Sequence, residues 1–521
     1  MAVDYSVYLV TDNTPAILRG RDLVAIVKAA VEGGVTIVQL RDKTSDTGDL
    51  IRIAKQLHEV TRARNVPLLI NDRVDVALAA GVEGVHIGQD DIDLASARRL
   101  LGPDAVIGVT ANSIQEAVTA AEGGADYLGL GTVFSTSTKG NTKSIVGTAG
   151  LREMLSALST CTVPSVSTVC IGGINASNTQ RVLYQSAAPS KQLDGVAVVS
   201  AIIGADDPFK AAHELKRLVE TPPAFAVEQK TPSGLEKPDV IRMEIPPVIK
   251  ALADLTPLCH NMTNMVVQNY AANVALCIGA SPIMSNNGSE APDLARLAGA
   301  LVINMGTVTE EGLKSYLSAL RAYNSVGGPV VFDPVGAGAT TQRRAAVRTL
   351  LAGGYFDLIK GNENEIRTVA GTAGDVQQRG VDSGASTMGL RERAALVRDL
   401  ARRERNLVLM TGATDVLSDG ELTLAIGNGH EYLGAITGSG CTLGTTVAAF
   451  LVVGKEQKIV AALAGVLVFE IAAERAAKRE DVRGPGTFVP AFLDELYAIR
   501  KETLEGKPTW LEAAKVEKIT L

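Results

Sequence analysis

The chain of 521 residues reads as α/β throughout. An N-terminal (β/α)8 TIM barrel is expected over 1–220 and a C-terminal open α/β unit over 249–521, with a proline-rich linker over 221–248. Three observations predict this. In the first part, eight short and nearly wholly apolar runs alternate with amphipathic segments, the pattern of parallel strands buried on both faces and their crossover helices. In the last part, strand-like runs return, each ending in polar or glycine residues, as in an open parallel sheet. Between them Pro222, Pro223, Pro232, Pro238, Pro246 and Pro247 punctuate charged and small residues.

Composition sets the outer bounds. A chain this long exceeds one core, and its 46% apolar content can fill two. A net charge of −7 argues against nucleic-acid binding. Cys161, Cys170, Cys259, Cys277 and Cys441 are scattered without a C-x-x-C pair, so neither a disulfide framework nor a zinc site is expected. The start M-A-V-D-Y-S-V has no basic n-region, and no run is apolar enough to span a membrane. A cytoplasmic, soluble protein acting on small molecules is expected.

The eight runs are Ser6–Asp12, Val35–Lys43, Val66–Asp72, Gly84–Gln89, Ala105–Ala111, Tyr127–Phe134, Ser165–Gly172 and Gly195–Ile202. After the first, Leu23, Ile26, Val27, Ala30 and Val31 keep helical spacing, and Gly33-Gly34 supplies a stop. Polar residues gather where the strands end, and in a barrel those ends share the rim that carries active sites. Asp72 and Asp91 are hard oxygen ligands suited to Mg2+. Lys43 and Lys139 suit a pyrophosphate. Gly172-Gly173 and Val199-Ser200 follow strands seven and eight, the usual barrel phosphate site, and Thr136, Ser137 and Thr138 add hydroxyls. Gln39 and Asn71 offer paired donors and acceptors for a heteroaromatic edge. His86, a lone strand histidine, reads as structural.

The ordered motifs Q-L-R-D-K, I-N-D-R, G-V-H-I-G-Q-D-D, G-L-G-T-V-F-S-T-S-T-K, I-G-G-I and G-V-A-V-V-S-A-I resemble thiamine-phosphate synthase over about 6–210. That family joins a pyrimidine methyl diphosphate to a thiazole phosphate and releases pyrophosphate. The resemblance implies that Gln39, Leu40, Arg41, Asp42, Lys43, Asn71 and Lys139 hold the pyrimidine diphosphate, with Mg2+ on Asp72 and Asp91. It assigns Thr136, Ser137, Thr138, Gly173, Val199 and Ser200 to the thiazole phosphate. Thr110 stands where the family often has serine, and the hydroxyl is kept.

The seam is expected to be an extended tether. Proline lacks an amide donor and fixes φ, so no long helix should cross it. Beyond it come L-V-I-N-M-G-T, P-V-V-F-D-P-V-G-A-G-A-T, F-D-L-I-K-G-N-E-N-E and N-L-V-L-M-T-G-A-T-D, the expected strands with their loops. A core helix is expected after I-T-G-S-G-C, which would aim bare N–H groups at an anion. Asn261, Asn264, Asn269 and Asn273 are unusually polar for an apolar stretch, and for the last two capping is favoured.

Together H-N-M-T-N, G-A-S-P-I-M, D-P-V-G-A-G-A-T, K-G-N-E-N-E and T-G-S-G-C resemble hydroxyethylthiazole kinase, of the ribokinase-like superfamily, over roughly 249–500. By that resemblance Met284 and Gly438 contact the thiazole alcohol, while Lys360 and Thr411 contact ATP. Lys360 keeps the charge of the family's usual arginine but not its fork. Asp333 and Glu365 are the Mg2+ candidates, directly or through water. Cys441 stands where related sugar kinases place an aspartate base. A helix N-terminus would lower its pKa and favour a catalytic role, and a small buried residue opening a helix is the alternative. Thiazole-kinase relatives are trimeric, so a homo-oligomer through this unit is expected. Rival readings are another phosphate-barrel enzyme fused to a different small-alcohol kinase, and a ligand sensor without turnover.

Overall fold

The structure, a computed structural model, describes residues 3–136, 145–161, 166–372 and 388–521. The chain divides into two compact units, 1–223 and 224–521.

In the first unit β1 (Val7–Val10), β2 (Ile37–Leu40), β3 (Leu68–Asn71), β4 (Gly84–Ile87), β5 (Val106–Ala111), β6 (Tyr127–Gly131), β7 (Ser167–Ile171) and β8 (Gly195–Val198) form a closed barrel in that order. The closing pair β8–β1 is parallel, like the others. Side chains alternate along each strand. Val7, Leu9, Val38, Leu40, Leu68 and Ile70 face outward into a core shared with the surrounding helices. Tyr8, Val10, Ile37, Leu69, Tyr127, Val169 and Ala197 fill the barrel interior. On this alternation Gln39, Asn71, His86 and Thr110 all turn inward near the carboxyl ends of four successive strands. The expected helix stop also appears: Leu23–Glu32 ends at Gly33, and Gly34 takes φ +111°.

The second unit is built on a nine-stranded sheet. Its strands are β9 (Leu258–Met262), β10 (Ser281–Ile283), β11 (Ala300–Asn304), β12 (Val330–Asp333), β13 (Leu358–Asn362), β14 (Leu407–Thr411), β15 (Asp415–Ser418), β16 (Thr423–Ile426) and β17 (Val516–Lys518), in the spatial order 10-9-11-12-13-14-15-16-17. Pairing is parallel from β10 to β14 and antiparallel from β14 to β17. Separate apolar cores include the two sheet faces, one with the helices Ser439–Val453 and Lys458–Ala477 and the other with Glu310–Val326 and Leu390–Glu404.

The tether expected over 221–248 is corrected in its second half. Pro238–Leu255 is a helix, with Pro238 in its first turn and Pro246 and Pro247 inside it. Ile241, Ile245, Val248, Ile249 and Leu252 recur at helical spacing and are buried in the sheet-face core, and that burial outweighs the lost backbone bonds. The preceding segment is not loose either. Phe225 stacks on Tyr355 at 4.5 Å, Leu235 is buried, and Gln229 Nε2 donates to the Lys455 carbonyl at 3.0 Å.

Candidate active sites

The barrel interior holds a continuous hydrogen-bond chain. Gln39 Nε2 donates to Tyr8 Oη at 2.7 Å, the Tyr8 and Tyr127 hydroxyls lie 2.6 Å apart, and Tyr127 Oη meets His86 Nδ1 at 2.7 Å. His86 Nε2 meets Thr110 Oγ1 at 2.8 Å. One donor order satisfies every member: Gln39 to Tyr8 to Tyr127 to His86 to Thr110, which leaves the Thr110 O–H and the Gln39 carbonyl oxygen for a ligand. Burial pushes both tyrosines above the usual phenol range, so the chain stays protonated. Two glycines make the room. A Cβ on Gly108 would lie 1.9 Å from Tyr127 Cζ, and one on Gly129 would lie 3.0 Å from His86 Cε1. His86, read as structural, bonds directly to Thr110 and through Tyr127 and Tyr8 to Gln39, two residues expected to bind the pyrimidine. The sequence signal was its inward register, shared with Gln39 and Asn71.

At the rim Lys43 is ion-paired with Asp72. Asp72 takes φ +63°, a strained conformation for a side-chain-bearing residue, and its N–H donates to the His86 carbonyl at 2.8 Å. Asp91 lies beside it: burial first, then Asp72, pushes the Asp91 carboxyl up. Its Oδ2 also accepts from the Gly88 amide at 2.8 Å. Two adjacent carboxylates with one lysine fit a hard cation whose other ligands are phosphate oxygens and water. Among the described residues no group of three or more histidine, cysteine or acidic side chains forms a metal cage.

The remaining rim residues divide. Leu40 points into the outer core, so only its backbone can serve a ligand. The Arg41 guanidinium rests on buried Asp12 at 3.3 Å. Asp42 closes its own turn by accepting from the Thr44 and Ser45 amides at 2.9 and 3.0 Å. Gly172 and Gly173 both take positive φ, and a Cβ on Gly173 would meet Phe134 Cβ at 2.9 Å. Val199 precedes the short helix Ser200–Ile203. Thr136 is half-buried, whereas Ser137, Thr138 and Lys139 lie outside the described residues.

In the second unit the strand ends converge on Asp333. Lys360 Nζ, buried with it, donates to Asp333 Oδ1 at 3.1 Å and to the Gly440 carbonyl at 2.9 Å. Burial alone would lower the Lys360 pKa, but Asp333, Cys441 and Glu365 raise it overall, so the ammonium stays charged. Asn304 Nδ2 donates to Asp333 Oδ2 at 2.9 Å, and its Oδ1 accepts from the Gly306 amide at 2.9 Å and Asn264 Nδ2 at 3.2 Å. Glu365 forms a capping box with Asn362 and also accepts from the Gly336 amide at 2.8 Å. Burial and Asp333 push Glu365 up to about 7. Asn304 was not singled out in the sequence. Its signal is a polar residue closing an otherwise apolar strand.

Cys441 sits in the first turn of Ser439–Val453, 3.8 Å from Asn264 Nδ2. The expected lowering of its pKa is corrected. Burial, then Asp333, pushes the thiol up to about 11, against the opposing pull of Lys360. Gly438 takes φ +85°, and a Cβ there would meet Val267 Cγ2 at 2.7 Å. Met284 is half-buried just after the edge strand β10, and Thr411 ends β14.

A closed barrel with a lysine and two carboxylates on its rim, and an α/β unit with a lysine–carboxylate centre under a helix N-terminus, are architectures in which enzymes carry small-molecule sites at the carboxyl ends of parallel strands. Residues 7–202 match the thiamine monophosphate synthase model and 249–502 the hydroxyethylthiazole kinase family model. The chain is 44% identical to the probable thiamine biosynthetic bifunctional enzyme of Schizosaccharomyces pombe, with 99% of each chain covered. It is 36% identical to the thiamine biosynthetic bifunctional enzyme of Saccharomyces cerevisiae, with 97% of each covered. The chain belongs to the family of bifunctional thiamine-biosynthesis enzymes, with a thiamine-phosphate synthase barrel followed by a hydroxyethylthiazole kinase unit. No helix among the described residues is long and apolar enough to cross a membrane.

Proposed function

We propose that the second unit phosphorylates 4-methyl-5-(2-hydroxyethyl)thiazole with ATP. The first unit then condenses that phosphate with 4-amino-2-methyl-5-(diphosphooxymethyl)pyrimidine, giving thiamine phosphate and pyrophosphate. The observation that carries the synthase assignment is the rim where Lys43, Asp72 and Asp91 meet the inward chain from Gln39 to Thr110. Asp72 and Asp91 would hold Mg2+, which neutralises charge on the departing pyrophosphate, and Lys43 and Lys139 would add to that. Gln39, Asn71 and Thr110 read the pyrimidine edge, with Gln39 and Thr110 held by the chain through Tyr8, Tyr127 and His86. Thr136 to Thr138, Gly173, Val199 and Ser200 take the thiazole phosphate. Leu40, Arg41 and Asp42 shape the loop that presents Lys43.

In the kinase unit Met284 and Gly438 flank the thiazole alcohol, and Thr411 meets ATP. Lys360 acts from below, since its ammonium is committed to Asp333 and the Gly440 carbonyl. A second Mg2+ would sit near Asp333 and Glu365, reached through water because the oxygens of both already accept hydrogen bonds. Cys441 receives the alcohol hydroxyl as a positioning thiol. Its raised pKa makes it a poor base, and phosphoryl transfer depends mostly on position and charge. Exposed Met265 and Val266 beside Asn264 support a homo-oligomer through this unit. A cytoplasmic location accords with five free cysteines.

The test supplies the full chain with Mg2+, the pyrimidine diphosphate and either the thiazole phosphate or the thiazole alcohol plus ATP. Thiamine phosphate is expected from both, with ADP only from the alcohol. Product from the phosphate alone would remove the kinase half of the proposal.

A further inference from the structure

The second unit buries acids that the chemistry above does not use. β14 ends at Thr411, β15 starts at Asp415, and β16 runs antiparallel to β15, with Asp415 opposite Ile426. Thr411, Asp415 and Ile426 therefore share one edge of the sheet. The helix Lys458–Ala477 carries Glu470 and Glu474, four residues apart and so on one face. Both are buried, at 5% and 8% exposure.

Glu474 has a full set of partners. Its Oε1 accepts from Asn428 Nδ2 at 3.0 Å, the Gly429 amide at 3.2 Å and Lys515 Nζ at 2.8 Å. Glu470 meets another acid, Asp415, itself 3% exposed. Asp415 Oδ1 accepts from the Gly412 amide at 2.9 Å, closing the turn that follows Thr411. A Cβ on Gly429 would lie 3.9 Å from Glu470 Cδ, so Glu470 faces the loop after β16 as well. Burial, then Asp415 and Glu474, holds the Glu470 carboxyl well above the usual range, against the pull of Lys515. Asp415 Oδ2 and Glu470 Oε2 are both buried with no other hydrogen-bond partner, and burial pushes Asp415 up as well, so a proton shared by the pair would give Asp415 a second donor.

We propose that Glu470 is a positioning residue for the nucleotide: its carboxyl group holds Asp415, and Asp415 holds the Gly412 turn behind Thr411. This rests on the reading of Thr411 as an ATP contact. Nothing else in the kinase chemistry needs an acid there, and a plain core position would take an apolar side chain at lower cost.

The test is steady-state kinase kinetics on the full chain, with ATP and the thiazole alcohol varied separately. Glu470→Ala leaves Asp415 buried without its second donor. The KM for ATP is expected to rise on the order of tenfold, the effect of losing one hydrogen bond to a charged group. The KM for the alcohol stays near wild type. Glu470→Gln keeps a donor of the same size and restores the KM for ATP. If the alanine variant is insoluble, Glu470→Asp, one methylene shorter, is read in its place. The proposal is overturned if Gln performs no better than Ala or Asp. It is also overturned if both KM values rise together, or if kcat alone falls. A wild-type chain with no ATP-dependent thiazole phosphorylation would fail differently, by removing the kinase reading itself.

Discussion

Ile245→Ala tests whether the seam belongs to the kinase unit. Ile245 is fully buried on the helix Pro238–Leu255, directly before the two internal prolines. Its neighbours in that core include Ile241, Ile249 and Leu252. Truncating a buried isoleucine to alanine costs about 2–5 kcal/mol, from lost transfer energy and the cavity left behind. For a unit the size of residues 224–521, each kcal/mol moves the midpoint by roughly 2 °C, so thermal inactivation of the kinase should fall by about 4–10 °C. The assay heats the full chain, then measures residual kinase and synthase activity in the same aliquots. The synthase midpoint should not move, because the barrel has its own cores. Met243→Ala, at an exposed position of the same helix, is the control and should stay within about 0.5 kcal/mol. An unmoved kinase midpoint would return the segment to the status of a tether, and a parallel fall of both activities would mean the units unfold together.

Asp72→Ala should nearly abolish condensation while ATP consumption with the thiazole alcohol continues; normal condensation at ordinary Mg2+ would remove Asp72 from the metal site. Gly108→Ala drives a Cβ into the Tyr127 ring and should cost the barrel about 1–3 kcal/mol and raise the pyrimidine KM. An unchanged pyrimidine KM would detach the inward hydrogen-bond chain from substrate binding. Cys441→Ala should lower kinase kcat by about 10²-fold or less, with the KM for ATP nearly unchanged. Because the thiol is raised to about 11, it stays protonated through neutral pH, and the wild-type to variant ratio should be flat from about pH 6 to 9. A ratio climbing tenfold per pH unit would make the thiolate the base after all.

The barrel was legible because its signals are periodic. Each of the eight apolar runs contains or closely overlaps one observed strand, and Gln39, Asn71, Asp72 and Thr110 come together at the carboxyl ends. The inward chain was hidden for a different reason. Tyr8, His86 and Tyr127 are separated by 78 and 41 residues in sequence order and meet only when the barrel closes. Strand alternation could have aligned His86 with Gln39, but their connection also needs Gly108 and Gly129 to vacate the interior. In the second unit T-G-S-G-C pointed to the helix start. The lysine–carboxylate centre beneath it depends on three separate strand ends meeting, which no single motif displays.

The two corrected energetic readings, the tether and the Cys441 pKa, share one cause: a local rule lost to burial. An internal proline costs a helix about 3 kcal/mol. Two adjacent ones make an extended tether the natural expectation for 221–248. Yet each fully buried aliphatic side chain gains about 1.5–3 kcal/mol, and five of them line one face of this helix. The tertiary gain exceeds the local cost even after a discount for compact unfolded states. Cys441 follows the same logic with charge. A helix N-terminus favours an anion by about 0.3–1 kcal/mol at exposed sites, whereas removing a thiolate from water near Asp333 costs more, and the thiol rises to about 11. Local sequence reports the smaller quantity in both cases. Burial, which decides them, is set by the apolar face of the seam helix and by the strand ends packed under Ser439–Val453.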